Sequence, residues 1–194
     1  GERLAETTAE ATTVPLPTNL GGISLFINGF PAPLLYVSPT QINLQVPWEV
    51  GGETAPVTVV AVGVLGNTLT FDVGQGVPVL YGVTHADGGA VTAEHPARAG
   101  DVLIIRATGL GPVNGAPLTG RAALGEPLLR TRELPGVTLG GLTAEVLFSG
   151  LAPGLVGVYQ LNVRAPVALT AGSATPLVVS VSSQSSVPLP IATR

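Results

Sequence analysis

The 194-residue chain contains no cysteine. Disulfide frameworks and thiolate metal sites are therefore excluded, and an oxidising compartment is permitted but not required. Lysine is absent too, all eight basic residues being Arg, so the Lys-to-Asn crosslinks that lock some surface adhesins cannot form. Charge is scarce: 10% of residues carry it and the net value is −4, which leaves no basic patch for nucleic acid. The only histidines, His85 and His95, flank Asp87 and Glu94. None of these groups shows i,i+4 ligand spacing and no third His or Cys is available, so they read as surface residues around the Asp87-Gly88-Gly89 turn and not as a metal or acid/base site. No G-x-S-x-G elbow occurs, and "GLGPVNG" lacks the Lys and the following helix of a phosphate loop. The chain reads as a non-enzyme with no catalytic, cofactor or metal residues. It has no N-x-[ST] sequon, but Thr7, Thr8, Thr12, Thr13 and the serine-rich run 182–186 are candidate carriers of O-linked sugars.

What is present is glycine, proline and short apolar runs. Gly 26 and Pro 18 exceed a fifth of the chain, while 45% is hydrophobic, a combination that fits neither a disordered tract nor a helical bundle. Ile42, Leu44 and Val46 alternate with Gln41, Asn43 and Gln45, as in a half-buried strand. Turn signals such as Asn28-Gly29, Gly66-Asn67, Asp87-Gly88 and Asn114-Gly115 separate the runs. The chain is expected to be all-β. Residues 54–71 carry no charge and approach a bilayer-spanning length, but their Val/Thr alternation and Gly63 and Gly66 are strand and hairpin features, and no Arg flanks them. No membrane span is expected. The first residue is Gly1 and not Met, so any signal peptide or upstream segment is taken as removed or not shown.

The sequence also repeats itself. "QINLQVP" from Gln41 matches "QLNVRAP" from Gln160, keeping Gln, Asn and Pro identical and the apolar positions apolar. Upstream, "INGFPAPLLY" lies over "LGGLTAEVLF"; downstream, "APVTVVAV" from Ala55 lies over "TPLVVSV" from Thr175. Two copies of one β-sandwich of about 90 residues follow. "NTLTFDV" closes the first and Pro78 opens a new run, which puts the boundary at Gly74-Gln75-Gly76 and the domains at 1–75 and 76–194.

The words "VPLPTNLGGISLFINGFPAPLLYVSPTQINLQVPW" and "AGDVLIIRATGLGPVNG" with "GLAPGLVGVYQLNVRAP" carry a likeness. Across nearly the whole chain the sequence resembles the C-terminal tandem domain of secreted proteins of Acidobacteria such as Solibacter. That resemblance implies two tandem immunoglobulin-like domains of the IPT/TIG type and an extracellular or cell-surface location. It implies no activity.

Set side by side, the copies differ. The second has a strong strand, "AGDVLIIRATG", ahead of its "TGLGPVNG" loop; in the first copy the loop's match is "GERLAE" itself, and the strand is missing. Either the chain is cut there or another molecule supplies the strand. Two unfilled aliphatic positions expose side chains worth roughly 1.5–3 kcal/mol each, a large share of a total stability of about 5–15 kcal/mol. An unpaired sheet edge also recruits strands. Completion in trans is therefore expected, and because donor and acceptor surfaces differ, repetition gives a head-to-tail filament unless a ring closes. Of two candidate donors, the tail "VPLPIATR" is disfavoured by its prolines. The N-terminal segment is preferred, with Leu4, Ala5, Thr7, Ala9, Ala11, Thr13 and Val14 as inter-subunit residues. Trp48, whose place in the second copy is taken by Val167, is assigned to packing between the domains. The function expected is a structural filament subunit forming a homopolymer. The alternative is an adhesive or carbohydrate-binding module at the end of a larger secreted protein, although most of the eight aromatics read as core.

Overall fold

A computed structural model describes residues 4–74 and 76–194. The described residues form sixteen strands and no helix, arranged in antiparallel sheets consistent with a β-sandwich. Among them, therefore, no helix is long and apolar enough to cross a membrane. The chain divides into two compact units. Unit 1 comprises Gly1–Gly74 with Ala116–Leu124 and Gly154–Gly157; unit 2 comprises Gln75–Gly115, Gly125–Pro153 and Val158–Arg194. Unit 1 thus takes in two stretches that a division at 75/76 assigns to the second domain. Polar bonds tie one of them in: the Gly120 N–H donates to Gln45 Oε1 at 2.8 Å, and the Leu16 N–H donates to the Gly120 carbonyl at 2.9 Å.

Unit 1 holds β1 (Ala9–Glu10), β2 (Ile23–Ile27), β3 (Phe30–Pro31), β4 (Leu34–Val37), β5 (Ile42–Leu44), β6 (Thr54–Ala61) and β7 (Val64–Asp72). They form two sheets, β1-β4-β5 and β3-β2-β6-β7. Alternation decides which side chains turn inward: in "ISLFI" of β2, Ile23, Leu25 and Ile27 are buried while Ser24 and Phe26 are not. These three share a core with Leu34 and Val37 of β4 and Ala55 of β6, so the sheets are joined through one apolar layer. The β2–β3 hairpin turns at Asn28 (φ 51°) and Gly29 (φ 81°), the two consecutive left-handed residues that a two-residue turn needs.

Unit 2 holds β8 (Val79–His85), β9 (Val102–Thr108), β10 (Gly136–Leu139), β11 (Leu142–Thr143), β12 (Glu145–Leu151), β13 (Tyr159–Arg164), β14 (Gly172–Val181), β15 (Gln184–Ser185) and β16 (Leu189–Thr193). One sheet has the order β12-β13-β9-β8; the other runs β11-β10-β14-β15, with β16 also paired to β14. The repeated words land on equivalent strands: β2 with β10, β4 with β12, β5 with β13 and β6 with β14. The hairpin between β10 and β11, turning at Gly140 and Gly141, repeats the one at Asn28-Gly29.

Candidate functional site

The words that repeat most closely build the same local structure twice. On β13 the Gln160 side-chain amide donates to Asn162 Oδ1 at 2.7 Å; at the start of β5 the Gln41 amide donates to Asn43 Oδ1 at 2.6 Å. Residues two apart on a strand share a face, so the Gln-x-Asn spacing is what lets this bond form. In unit 2 it is extended. The guanidinium of Arg106 on β9 donates to Gln160 Oε1, and the strands run in register with Asn162 opposite Ile104 and Leu161 opposite Ile105.

That extension has no counterpart in unit 1. Among the described residues β5 is paired with β4 alone, and no strand pairs with it as β9 pairs with β13. The opposite sheet registers the loss. Leu177, Val179 and Val181 of β14 are 0%, 0% and 2% exposed, whereas Val57, Val59 and Ala61 at the matching places on β6 are only partly buried. Farther along, Phe71 faces Ala55 across the β6–β7 ladder and so projects to the same side as that buried alanine, yet it is 54% exposed. Ile191, which faces Thr175 in the same way in unit 2, is 5% exposed. The expectation that most aromatics are core therefore needs correction: Phe30, Phe71 and Tyr81 are exposed, Phe148 and Tyr159 buried. Strand periodicity identifies the side of a sheet but not whether a second sheet covers it.

The open edge and the partly covered face beside it are the candidate site. Its apolar lining comes from Ile42, Leu44, Val57, Val59, Leu69 and Phe71, and residues 54–71 contain no charge.

The N-terminal residues lie elsewhere. Ala9 and Glu10 pair with Val37 and Tyr36 of β4, the Leu4 N–H donates to the Pro39 carbonyl, and the Ala11 N–H donates to the Leu35 carbonyl. Ala5 is buried in the unit 1 core and Ala9 packs against it, while Thr7, Thr13 and Val14 are exposed. In this single chain the segment thus borders β4 on the side away from β5. Its match in unit 2 is the stretch 129–131, bound to β12 through an Arg130–Gly150 bridge and the bond from the Thr131 N–H to the Ser149 carbonyl. The expected match of "GERLAE" to the loop after β9 falls partly outside the described residues, which begin at Leu4. The C-terminal candidate, residues 187–194, contributes β16 to unit 2.

Trp48 sits within unit 1, its backbone N–H donating to Thr119 Oγ1 at 3.0 Å, while the Thr119 hydroxyl donates to Glu49 Oε2 at 2.6 Å. Its buried indole Nε1 has no partner among the described residues, nor has Gln45 Nε2. The histidines border a shallow basin in unit 2 with Asp87, Glu94 and Asp101. His85 Nε2 lies 3.0 Å from the His95 carbonyl and Nδ1 lies 3.9 Å from Asp101. The acids are engaged locally: Asp87 accepts from the Gly89 N–H and Asp101 from the Arg98 N–H. A backbone N–H and the Thr92 hydroxyl hold the Glu94 carboxyl below its usual range. Among the described residues no group of three or more His, Cys, Asp or Glu side chains is placed to hold a metal ion.

Comparison with protein families gives no match, and neither a curated protein nor a solved structure matches the chain.

Proposed function

We propose that the chain is a non-enzymatic structural subunit of an extracellular or cell-surface filament, made of two tandem immunoglobulin-like sandwiches and assembled head to tail by strand complementation. The observation that carries this reading is the open β5 edge of unit 1, beside a sheet face that the equivalent strands close in unit 2. Residues 4–11 border β4 within the single chain, and β5 is the edge left unpaired among the described residues, so the acceptor of the added strand is placed at β5. An acceptor in unit 1 filled from a different part of the next copy is a heterologous contact, and such contacts propagate unless their rotation closes. Extracellular placement rests on the resemblance of the repeated words to domains of secreted proteins.

The test compares two proteins by negative-stain microscopy and light scattering over a concentration series. The chain itself forms fibres that lengthen with concentration. A self-complemented form, carrying a second copy of residues 100–109 ahead of Gly1 through a flexible Gly/Ser linker long enough to reach β5, stays monodisperse. Fibres from both proteins, or from neither, overturn the proposal.

A further inference from the structure

The open edge also specifies what fills it, an inference that rests on the same reading of β5 but does not depend on filament growth. We propose that unit 1 is a receptor for one added strand laid antiparallel to β5. The strand is an extended segment of another polypeptide with large aliphatic residues two positions apart, followed directly by an arginine.

Unit 2 supplies the template. There β9 lies antiparallel on β13, with Leu103 opposite Val163, Ile105 opposite Leu161 and Arg106 opposite Gln160. Leu103, Ile105 and Ala107 are each 0% exposed. The repeat carries this register to unit 1 residue by residue: Leu44 stands for Val163, Ile42 for Leu161, Asn43 for Asn162 and Gln41 for Gln160. A donor in that register turns its two aliphatic side chains toward Val57 and Val59. It also delivers its basic residue to Gln41, whose amide is already committed to Asn43 just as Gln160 is to Asn162.

Charge points the same way. The lining from 54 to 71 is uncharged, so an acidic or strongly charged segment would leave its charge without a partner, whereas one cation beside the Gln41 side-chain carbonyl repeats the Arg106–Gln160 pair. Size sets the strength. Seven residues span roughly 23 Å as a strand, and one strand covers less than the roughly 800 Å² per side of a stable complex. An isolated peptide is therefore expected to bind in the micromolar range, and a donor tethered to a larger partner more tightly.

The probe is a synthetic peptide of residues 100–109, "GDVLIIRATG". Because the chain has no cysteine, register can be read by a single crosslink. Asn43→Cys is made in the full chain, where Asn43 is exposed, and Ile104→Cys in the peptide. In a thiol–disulfide exchange buffer, below the concentration at which the chain self-associates, this pair crosslinks at least tenfold more than the same chain with an Ile105→Cys peptide. The doubly changed Leu103→Ser, Ile105→Ser peptide loses at least tenfold in affinity, and Arg106→Ala loses several-fold. Equal crosslinking by a scrambled peptide, or no saturable binding up to millimolar peptide, overturns the receptor inference. Register-specific binding to a chain that never polymerises sinks the filament and leaves the receptor. Fibres that the peptide neither caps nor enters do the reverse.

Discussion

Units 1 and 2 are built on the same repeated words, yet one is closed and the other open. In unit 2, β9 lies beside β13, and the β14 row from Leu177 to Val181 is sealed from water. In unit 1, β5 is the last strand of its sheet among the described residues, and the matching β6 row is only partly buried. Side-chain chemistry at the matching positions hardly differs: Val57 answers to Leu177 and Val59 to Val179. What differs is the strand on the opposite sheet, so burial here belongs to topology before it belongs to residue type. A row that is apolar but half covered gains less from folding and more from a partner, at roughly 25 cal/mol for each Å² removed from water.

Paired truncations give the largest expected effect. Leu177→Ala removes a wholly buried side chain and should cost unit 2 about 2–5 kcal/mol, the range for large-to-small changes in closed cores. Val57→Ala, at the equivalent but partly open place, should cost unit 1 no more than about 1 kcal/mol, because water reaches the site and no sealed cavity forms. Fluorescence of the sole tryptophan, Trp48, reports unit 1, and hydrogen exchange at the β9 and β13 amides reports unit 2. Equal losses in the two units would mean that unit 1 is as closed as unit 2. Adding the residue 100–109 peptide should raise the cost of Val57→Ala toward that of its counterpart.

Alkali should separate the units next. Tyr159 is 5% exposed, its hydroxyl donates to the Gly111 carbonyl, and burial pushes its pKa up to about 12. The folded form holds this proton more tightly than the unfolded chain, whose tyrosines titrate near 10. The resulting stability is complete below about pH 10 and is lost as pH rises toward 12, on the order of 2–3 kcal/mol in all. Its place in the first copy is held by Thr40, so the loss belongs to unit 2. A Tyr159→Phe chain should unfold with a flatter pH dependence over that window; an unchanged profile would remove Tyr159 as its source.

Much of this architecture was legible in the sequence. Period-2 alternation located the strands that carry the repeat, and the repeat exposed the lack of a β9 counterpart in the first copy, because both signals are local. Contacts whose partners are remote were not legible. Nothing in "LAETTAEATTV" names β4 as its neighbour, since alanine and threonine fit any edge with room for small side chains. The bond from the Gly120 N–H to Gln45 Oε1 spans 75 residues and leaves no periodicity to detect. Phe71 shows the same limit, because the alternation that puts it on the core side of its sheet does not reveal that the cover is missing.

The smallest expected effect concerns the two edges of the sheet β1-β4-β5. Deleting residues 1–13 removes Ala5 from the core, Ala9 from its margin and the hydrogen bonds to β4. Two alanine side chains contribute roughly 0.8 kcal/mol each when buried, and the released segment regains the backbone entropy of the residues it had ordered. The net loss should not exceed about 2 kcal/mol in unit 1, measured by Trp48 fluorescence in urea. Because the segment borders β4 and the proposed receptor edge is β5, with β4 lying between them, the truncated chain should bind the residue 100–109 peptide within about twofold of the intact one. A large drop in peptide affinity would mean that the N-terminal segment shapes the β5 edge. A large gain would mean that it competes for that edge in solution, and the sheet would then have one docking track and not two.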